Sequence, residues 1–199
     1  MRACVVHDGV NCPMTRINKV NGQGPIPCHI MFIGEAPGKM EDAKGVPFIG
    51  KSGSELDHLY LGKCAELSRT SVYVTNLVKC RTNDKDRDPT EAEIGACSHI
   101  LREEILQVNP RYIGLVGKLA TQFFIPDARM EKVHGFGYEL PIVFDNGKWN
   151  AKLFMVMPLY HPSYGLHNTT MMRHIMGDFE RFGRMVRGDT SVMWRGVDK

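Results

Sequence analysis

Two carboxylates and an aromatic ring lie close together in one glycine-rich stretch. The carboxylates are Glu35 and Glu41, the ring is Phe48, and the stretch contains Gly34-Glu35-Ala36-Pro37-Gly38 and Gly45-Val46-Pro47-Phe48-Ile49-Gly50. Glycines allow the backbone to approach a ligand closely, and prolines stiffen the turns between them. A carboxylate can position water and a ring can stack on a flat ligand, so the stretch is a candidate catalytic loop.

An amide and an imidazole occur later in comparable positions. Asn76 lies near the end of an apolar run, and His161 follows another such run within Tyr160-His161-Pro162-Ser163. A side-chain amide has a donor beside an acceptor and can pair with the edge of a pyrimidine. An imidazole can stabilise negative charge on a leaving base. Taken singly, Asn76 could cap a strand, Phe48 could belong to the core, and His161 could be an ordinary loop histidine.

The hydrophobic pattern predicts an α/β fold, a single-domain three-layer sandwich with a mostly parallel central sheet. Strands are predicted at 29–35, 72–78, 112–117 and 153–157, and helices at 52–67, 90–108, 119–124 and 169–186. Thr90 and Glu93 form a capping-box pattern, and Asp145-Asn146-Gly147 predicts a turn between two β-rich runs. The carboxyl ends of parallel strands share one edge, so the five candidate side chains should converge there.

Length and composition limit the classes of protein to which this chain can belong. With 199 residues, 43% of them hydrophobic, we expect one domain over 1–199, with a loop-rich lead-in at 1–28 and a loose tail at 188–199. No run approaches the roughly 20 apolar residues of a membrane helix, and the start is not a signal peptide, so a cytoplasmic protein is expected. The formal net charge of +3 is too small to predict DNA binding by itself.

Three motifs in order resemble those of the family 4 uracil-DNA glycosylases, the iron–sulfur branch of that superfamily. They are GEAPG with its following Glu41-Asp42 and PFIG, then Val74-Thr75-Asn76-Leu77-Val78-Lys79-Cys80-Arg81, and finally Tyr160-His161-Pro162-Ser163-Tyr164. The resemblance extends over about residues 12–182. It implies an enzyme that flips uracil out of DNA and hydrolyses its N-glycosidic bond, leaving an abasic site.

The resemblance also implies a role for each candidate residue. Asn76 would recognise uracil, Phe48 would stack on it, and His161 would stabilise the leaving base. Glu41 would line the pocket and help to exclude larger bases, while Glu35 would shape the loop and polarise water. The remaining implied residues are the pocket positions Gly34 and Ala36 and the DNA contacts Lys79, Arg81, Ser163 and His134.

Six cysteines in an intracellular chain indicate metal binding or buried thiols more than disulfides. By the resemblance, Cys80 and Cys97 would bind a structural [4Fe–4S] cluster together with Cys12. Gly9 stands where the family has its fourth cysteine, and Cys4 is the natural substitute. Zinc and a protein without metal remain alternatives. The other two cysteines, Cys28 and Cys64, are predicted to be core thiols.

Two rival functions remain open at this stage. One is a glycosylase for a modified pyrimidine, and the other is a non-catalytic DNA-binding relative. The loop after Cys80 contains no histidine, which disfavours a relative that traps the sugar covalently. His134-Gly135 replaces an Arg-Gly pair that the family often has. DNA is the expected partner, and a monomer is the expected state.

Overall fold

The computed structural model describes residues 18–82, 87–143 and 151–194. Its five described strands form one sheet in the order β2-β1-β3-β5-β4. Strands β2, β1, β3 and β5 are parallel, and only β4 runs antiparallel, against β5. The mostly parallel sheet predicted from the sequence is confirmed. The strand bounds are β1 (Ile30–Gly34), β2 (Tyr73–Asn76), β3 (Tyr112–Val116), β4 (Tyr138–Val143) and β5 (Ala151–Leu159).

Helices cover both faces of this sheet. The described α-helices are α1 (Lys39–Lys44), α2 (Lys51–Glu55), α3 (Glu91–Val108), α4 (Lys118–Phe124), α5 (Met130–Val133) and α6 (Thr169–Val186). A π-helix continues α2 over Leu56–Ala65, and single 3-10 turns occur at Arg69–Ser71, Pro162–Tyr164 and Thr190–Val192. The short helices α1 and α5 were not predicted, because each lies in a segment whose glycine and polar content resembles a loop.

Alternating side chains of β1 belong to two separate cores. Phe32 packs between the sheet and α6, with its ring centroid 4.8 Å from that of Phe182. Met31 and Ile33 point to the opposite face and join the core beneath α3. A strand buried on both faces must be apolar at every position, and all five residues of β1 are buried. The three-layer sandwich is therefore confirmed.

The segment predicted as one ordinary helix from 52 to 67 changes its winding at Leu56. Its buried residues recur every four to five positions, at Leu56, Tyr60, Leu61, Cys64 and Ala65. This spacing fits the wider i to i+5 winding of a π-helix. The sequence analysis assumed the α-helical period, which explains why it missed the change.

The predicted boundaries of the two longest helices are correct. Thr90 caps α3: its hydroxyl accepts from the Glu93 backbone, and the Glu93 carboxylate accepts from the Thr90 backbone. This is the predicted capping box. Helix α6 covers the predicted range, and the Asn168 side chain caps it. The two predicted β-rich runs appear as β4 and β5, and the predicted turn at 145–147 lies outside the described residues.

Both ends of the described chain are attached to the sheet. Gln23 pairs with Val74 of β2, and the backbone N–H of Val20 donates to the carbonyl of Lys79 at 2.7 Å. The prediction of a loose tail from 188 is wrong as far as Trp194: Val192 is buried, and the Trp194 N–H donates to the carbonyl of Gly137. No helix in the described ranges is long and apolar enough to span a membrane.

Candidate active site at the carboxyl edge of the sheet

A cavity of about 290 Å³ opens where strands β1, β2 and β5 end. Asn76 lines it from the end of β2, Phe48 from the loop after α1, and His161 from the segment just after β5. The parallel sheet thus brings together three side chains that are far apart in the sequence. The remaining wall is formed mainly by the glycine-rich loop and the start of α2, including Ala36, Gly38, Glu41 and Ser52.

Asn76 and Phe48 meet above Gly34. The parallel register of β1 and β2 pairs Gly34 with Asn76. A Cβ atom at residue 34 would lie 2.5 Å from Asn76 Oδ1 and 2.6 Å from Phe48 Cζ, so no larger residue fits. Asn76 is buried, and within the described part of the chain its side-chain amide has no hydrogen-bond partner. An amide on a cavity wall whose donor and acceptor are not used within the described chain is suited to pair with a ligand.

Phe48 is held in an unusual backbone conformation. Its φ of 56° lies in the left-handed region, which is rare for a bulky residue and is found mainly where surrounding contacts enforce it. Gly53 makes room for this backbone: a Cβ atom there would lie 2.1 Å from the Phe48 carbonyl carbon and oxygen. The first turn of α2 therefore packs closely against the Phe48 backbone.

The Glu41 carboxylate closes the loop that carries Phe48. Its Oε1 accepts backbone hydrogen bonds from Ile49 at 2.8 Å and from Gly50 at 2.7 Å. These bonds hold the start of α2 against α1. Glu41 is buried and also lines the cavity. Its position fits the expected role in the pocket, but most of its hydrogen bonding serves the loop itself.

The Glu35 carboxylate lies on the other side of the loop. Its Oε1 accepts from the backbone N–H of Leu119 at 2.9 Å, at the start of α4. Gly117 makes room for it: a Cβ atom there would lie 2.4 Å from Glu35 Oε1. Burial raises the pKa of Glu35 above its ordinary value, although the Leu119 hydrogen bond opposes this rise. The charged form is therefore less favoured here than in water.

His161 has a defined tautomer. The backbone N–H of Ser163 donates to His161 Nδ1 at 3.2 Å, and the Ser163 hydroxyl lies 2.8 Å from the same nitrogen. A backbone N–H can only donate, so Nδ1 is the acceptor and the neutral ring carries its proton on Nε2. Burial lowers the pKa of His161 to about 4, against a smaller opposing effect of Glu41. His161 is thus a neutral hydrogen-bond donor near pH 7.

A second cavity of about 430 Å³ adjoins the first. The two share Ala36, Gly38, Ser52 and His161. Glu35 lines only the second cavity, whereas Asn76 and Phe48 line only the first. His161 therefore stands at the boundary between a cavity lined by Asn76, Phe48 and Glu41 and a cavity lined by Glu35. The second cavity is completed by residues of the loop before α3 and of the turn after His161, including Arg87, Asp88, Ser163 and Tyr164.

The structure corrects the prediction that Lys79 contacts DNA. Lys79 has no exposed surface, and its Nζ donates to Thr75 Oγ1 at 2.6 Å, to the Asn76 carbonyl at 2.7 Å and to Glu104 Oε2 at 2.7 Å. An ammonium has three donors, and all three are used inside the protein. A lysine just after a strand end is usually exposed, which is why the sequence predicts a surface position for Lys79. The sequence does not show that its partner Glu104 lies on α3.

The other three predicted DNA contacts have some exposed surface. Arg81 is half-buried after Cys80, and Ser163 is exposed beside His161. The His134 ring lies 4.5 Å from the Tyr160 ring, and its Nδ1 lies 2.7 Å from Asp178 Oδ1. The side chain of His134 remains 20% exposed. DNA contact by these three residues stays a prediction.

Two of the four predicted cluster ligands lie in the described chain. Cys80 and Cys97 are buried and share a small apolar cluster with Val78, against which Ala36 packs. Two buried thiols from separate elements suit a thiolate-bound metal group. The expected partners at positions 4 and 12 lie outside the described residues. Within the described ranges no group of three or more potential metal ligands occurs. Cys28 and Cys64 lie in the two main cores, as predicted.

Comparison with known proteins decides the family. Residues 21–180 match the model of the uracil DNA glycosylase superfamily. The chain belongs to the uracil-DNA glycosylase superfamily. Its curated relatives include proteins named type-4 uracil-DNA glycosylase. That of Saccharolobus solfataricus is 38% identical over 173 residues, which cover 83% of this chain and 75% of that protein.

Two more relatives with the same name come from distant organisms. The protein of Thermotoga maritima is 36% identical over 176 residues, 85% of each chain. That of Archaeoglobus fulgidus is 32% identical over 189 residues, covering 92% of this chain and 87% of the relative. The superfamily match contains Gly34, Asn76 and His161, so every wall of the first cavity lies within it.

The sequence analysis missed several residues that shape this superfamily site. Gly53 and Gly117 make room for the Phe48 backbone and the Glu35 carboxylate, but a single glycine in a sequence does not identify what approaches it. Ser163 was predicted to contact DNA, although its contacts within the protein are with His161. Its position two residues after the histidine is a usable pattern, because Ser and His at that spacing can share one turn.

Replacing Gly34 with alanine should disable the site. The added methyl group would clash with Asn76 Oδ1 or with the Phe48 ring. Displacements of about 1 Å in a catalytic site can cost about 100-fold in rate, and we expect a loss of that order. Single-turnover uracil excision by the Gly34→Ala variant measures it. Gly95→Ala is the matched control, because no atom lies within 4 Å of a Cβ built there. Parent-like excision by Gly34→Ala would contradict the site geometry.

His161 should act in its neutral form across the physiological range. Since its pKa is lowered from 6.5 to about 4, the uncharged ring dominates at every pH well above 4. The ratio of excision rates of the parent and a His161→Gln variant should therefore stay constant from about pH 5.5 to about pH 8. A ratio that rises or falls through pH 6.5 would mean that His161 titrates normally, and would contradict the assigned protonation state.

Proposed function

We propose that the protein hydrolyses the N-glycosidic bond of uracil in DNA and leaves an abasic site. One observation carries this proposal: the Asn76 amide, the Phe48 ring and the His161 imidazole line a single cavity. The volume of about 290 Å³ is near the lower limit of small-molecule pockets, roughly 300 Å³. The names of the relatives support uracil in DNA as the substrate.

Recognition of the base would use Asn76 and Phe48. Uracil presents an N–H donor beside a carbonyl acceptor, which matches the acceptor and donor of one amide. The Phe48 ring would stack on the face of the base. Gly34 leaves the space between these two groups open. A base inside a duplex cannot reach such a cavity, so the nucleotide must rotate out of the helix.

Departure of the base would use His161. As the bond between C1′ and N1 breaks, its electron pair moves to the base and negative charge develops on the ring oxygens. The Nε2–H of His161 would donate to O2 and stabilise that charge. The Ser163 N–H keeps the proton on Nε2 by occupying Nδ1. A preset neutral donor needs no proton transfer before the bond breaks.

Attack of water would use Glu35 rather than Glu41. Glu35 lines the second cavity beside His161, and its carboxylate is held by Leu119. It would orient a water molecule toward C1′ and accept a proton as the new C–O bond forms. Glu41 is bound by two backbone N–H groups and keeps the Phe48 loop closed. This division gives each carboxylate one task.

The buried thiols of Cys80 and Cys97 would hold half of a [4Fe–4S] cluster, with Cys4 and Cys12 as the other ligands. Bound there, the cluster would supply a structural cross-link between the start of the chain, the segment after β2 and helix α3. The residues of this chain perform the proposed reaction without it. Contact with DNA is proposed for Arg81, and the enzyme is expected to act as a monomer inside the cell, where its substrate is.

Excision from a labelled oligonucleotide with one uracil tests the function. The parent protein should release uracil and leave a site cleaved by alkali. Because the base contacts of Asn76 and His161 strengthen as charge develops, either alanine variant should lose about 100-fold or more in rate. Both variants should show the same thermal unfolding as the parent.

Controls in that assay separate the rival functions. Thymine, hydroxymethyluracil and modified cytosines in the same position test the substrate. Release of a modified base but not of uracil would reassign the substrate and keep the site. Binding of DNA without release of any base would contradict the proposed enzyme.

Iron content tests the cofactor. The purified protein should contain about four iron atoms per chain and absorb visible light. Cys80→Ser and Cys97→Ser should lose iron, because serine is a poor ligand for iron–sulfur clusters. Cys64→Ser is the matched control, since Cys64 lies in the core beneath α6. Zinc in place of iron, or iron retained in both ligand variants, would contradict the cluster.

A further inference from the structure

Three buried side chains form a polar network behind Asn76, which we call the Lys79 network. It consists of Lys79, Thr75 and Glu104. Lys79 Nζ donates to Thr75 Oγ1, to Glu104 Oε2 and to the Asn76 carbonyl, with all three distances between 2.6 and 2.7 Å. The Thr75 hydroxyl in turn donates to Glu104 Oε2 at 2.7 Å. Every polar atom of the three side chains is thus engaged.

The network fixes the backbone at the end of β2. The carbonyl of Asn76 is the point where the chain leaves the sheet, and Lys79 returns to bind it from three residues further on. The N–H of the intervening Leu77 donates to Gly34 at 2.9 Å. The peptide unit that follows the Cα of Asn76 is therefore held from both sides, and with it the direction of the side chain.

The same network reaches the cysteine-bearing segments. Glu104 Oε1 accepts from the backbone N–H of Gly22 at 2.9 Å, and the Lys79 carbonyl accepts from Val20. Cys80 is the next residue after Lys79, and Cys97 lies two turns before Glu104 on α3. The network therefore bonds to the residue that lines the base pocket and lies next to the segments that carry the two thiols.

A contribution to folding stability does not by itself explain a buried ion pair such as that of Lys79 and Glu104. Removing two charges from water is costly, and a buried pair can often be replaced by apolar residues of similar size without loss of stability. What an apolar pair cannot supply is a hydrogen bond to the Asn76 carbonyl. Apolar side chains would also lose the bonds to Gly22 and Thr75, but only the bond to Asn76 touches the proposed active site.

We infer that Lys79 and Glu104 are positioning residues for base recognition: they hold the end of β2 so that the Asn76 amide meets the base in a fixed direction. This inference rests on the proposed function. It assigns Lys79 a role inside the protein in place of a DNA contact, and it gives Glu104, which no motif identified, a role in the reaction.

The decisive variant is the double substitution Lys79→Met with Glu104→Leu. Each single apolar substitution would leave an unpaired buried charge, whereas the double variant removes both charges and keeps the bulk. We expect it to fold and retain its metal while single-turnover excision falls by about tenfold to 100-fold. Inhibition by free uracil should weaken by a similar factor, and affinity for abasic DNA should stay within about twofold of the parent. The matched control is Arg187→Gln with Glu66→Gln, an exposed ion pair, which should behave like the parent.

Excision, uracil inhibition, abasic-DNA affinity and metal content together distinguish a positioning role of Lys79 and Glu104 from a general contribution to the stability of the fold. Parent-like excision and uracil inhibition in the folded double variant would overturn the inference. Loss of metal together with equal loss of uracil and abasic-DNA binding would also overturn it, since the pair would then support the whole fold. If the double variant does not fold, Glu104→Gln replaces it. That change keeps the shape and the bond to Gly22 but weakens the hold on Lys79, so excision should fall about threefold to tenfold with metal retained. An unchanged rate would overturn the inference.

Failure of the inference and failure of the proposed function are separable. The parent protein is tested first on uracil DNA. If it releases no uracil, the function is wrong whatever the variants do. If it releases uracil and the double variant does so equally well, the function stands and only the positioning role falls.

Discussion

The candidate site depends on residue 34 being glycine, which has no side chain. The parallel register places this residue beside Asn76, and a Cβ atom would meet both the amide oxygen and the Phe48 ring within 2.6 Å. The cavity therefore exists only because one strand ends without a side chain while its neighbour ends with an amide. Glu41 binds the loop that carries Phe48, and Gly53 leaves room for the Phe48 backbone. Both residues therefore help to place the Phe48 ring beside Gly34.

Hydrogen-bond partners and location distinguish the carboxylates of Glu35 and Glu41, which look equivalent in the sequence. Glu35 lies in the loop after β1, and Glu41 lies six residues later in α1. Glu41 accepts two backbone N–H groups from the loop that it closes, whereas Glu35 accepts from the backbone of Leu119 and Lys118 at the start of α4 and lies in the second cavity. The geometry thus favours Glu35 for solvent and Glu41 for structure, which residue type alone could not decide.

Periodicity and strand-end topology predicted most of the fold and three walls of the cavity. Helices α3 and α6 have clear caps and stripes, and Asn76, Phe48 and His161 converge because parallel strands end at one edge. The prediction failed where distant contacts decide the outcome. Lys79 looked like a surface charge because Glu104 lies 25 residues away, and the change of winding at Leu56 was missed because the α-helical period was assumed. No local pattern indicates the contact between Lys79 and Glu104.

The apolar cluster of Cys80 and Cys97 lies directly behind the proposed catalytic loop. Ala36 packs against this cluster and also lines both cavities. A rigid group bound by the two thiols would therefore stiffen the loop from behind without touching a base in front of it. The Lys79 network acts on the same strand end from the side of α3. With such a group bound, Ala36 and its loop would be supported from one side, while the Lys79 network holds the end of β2 at Asn76; rigid support of this kind is what a site for one flat base in a single orientation requires.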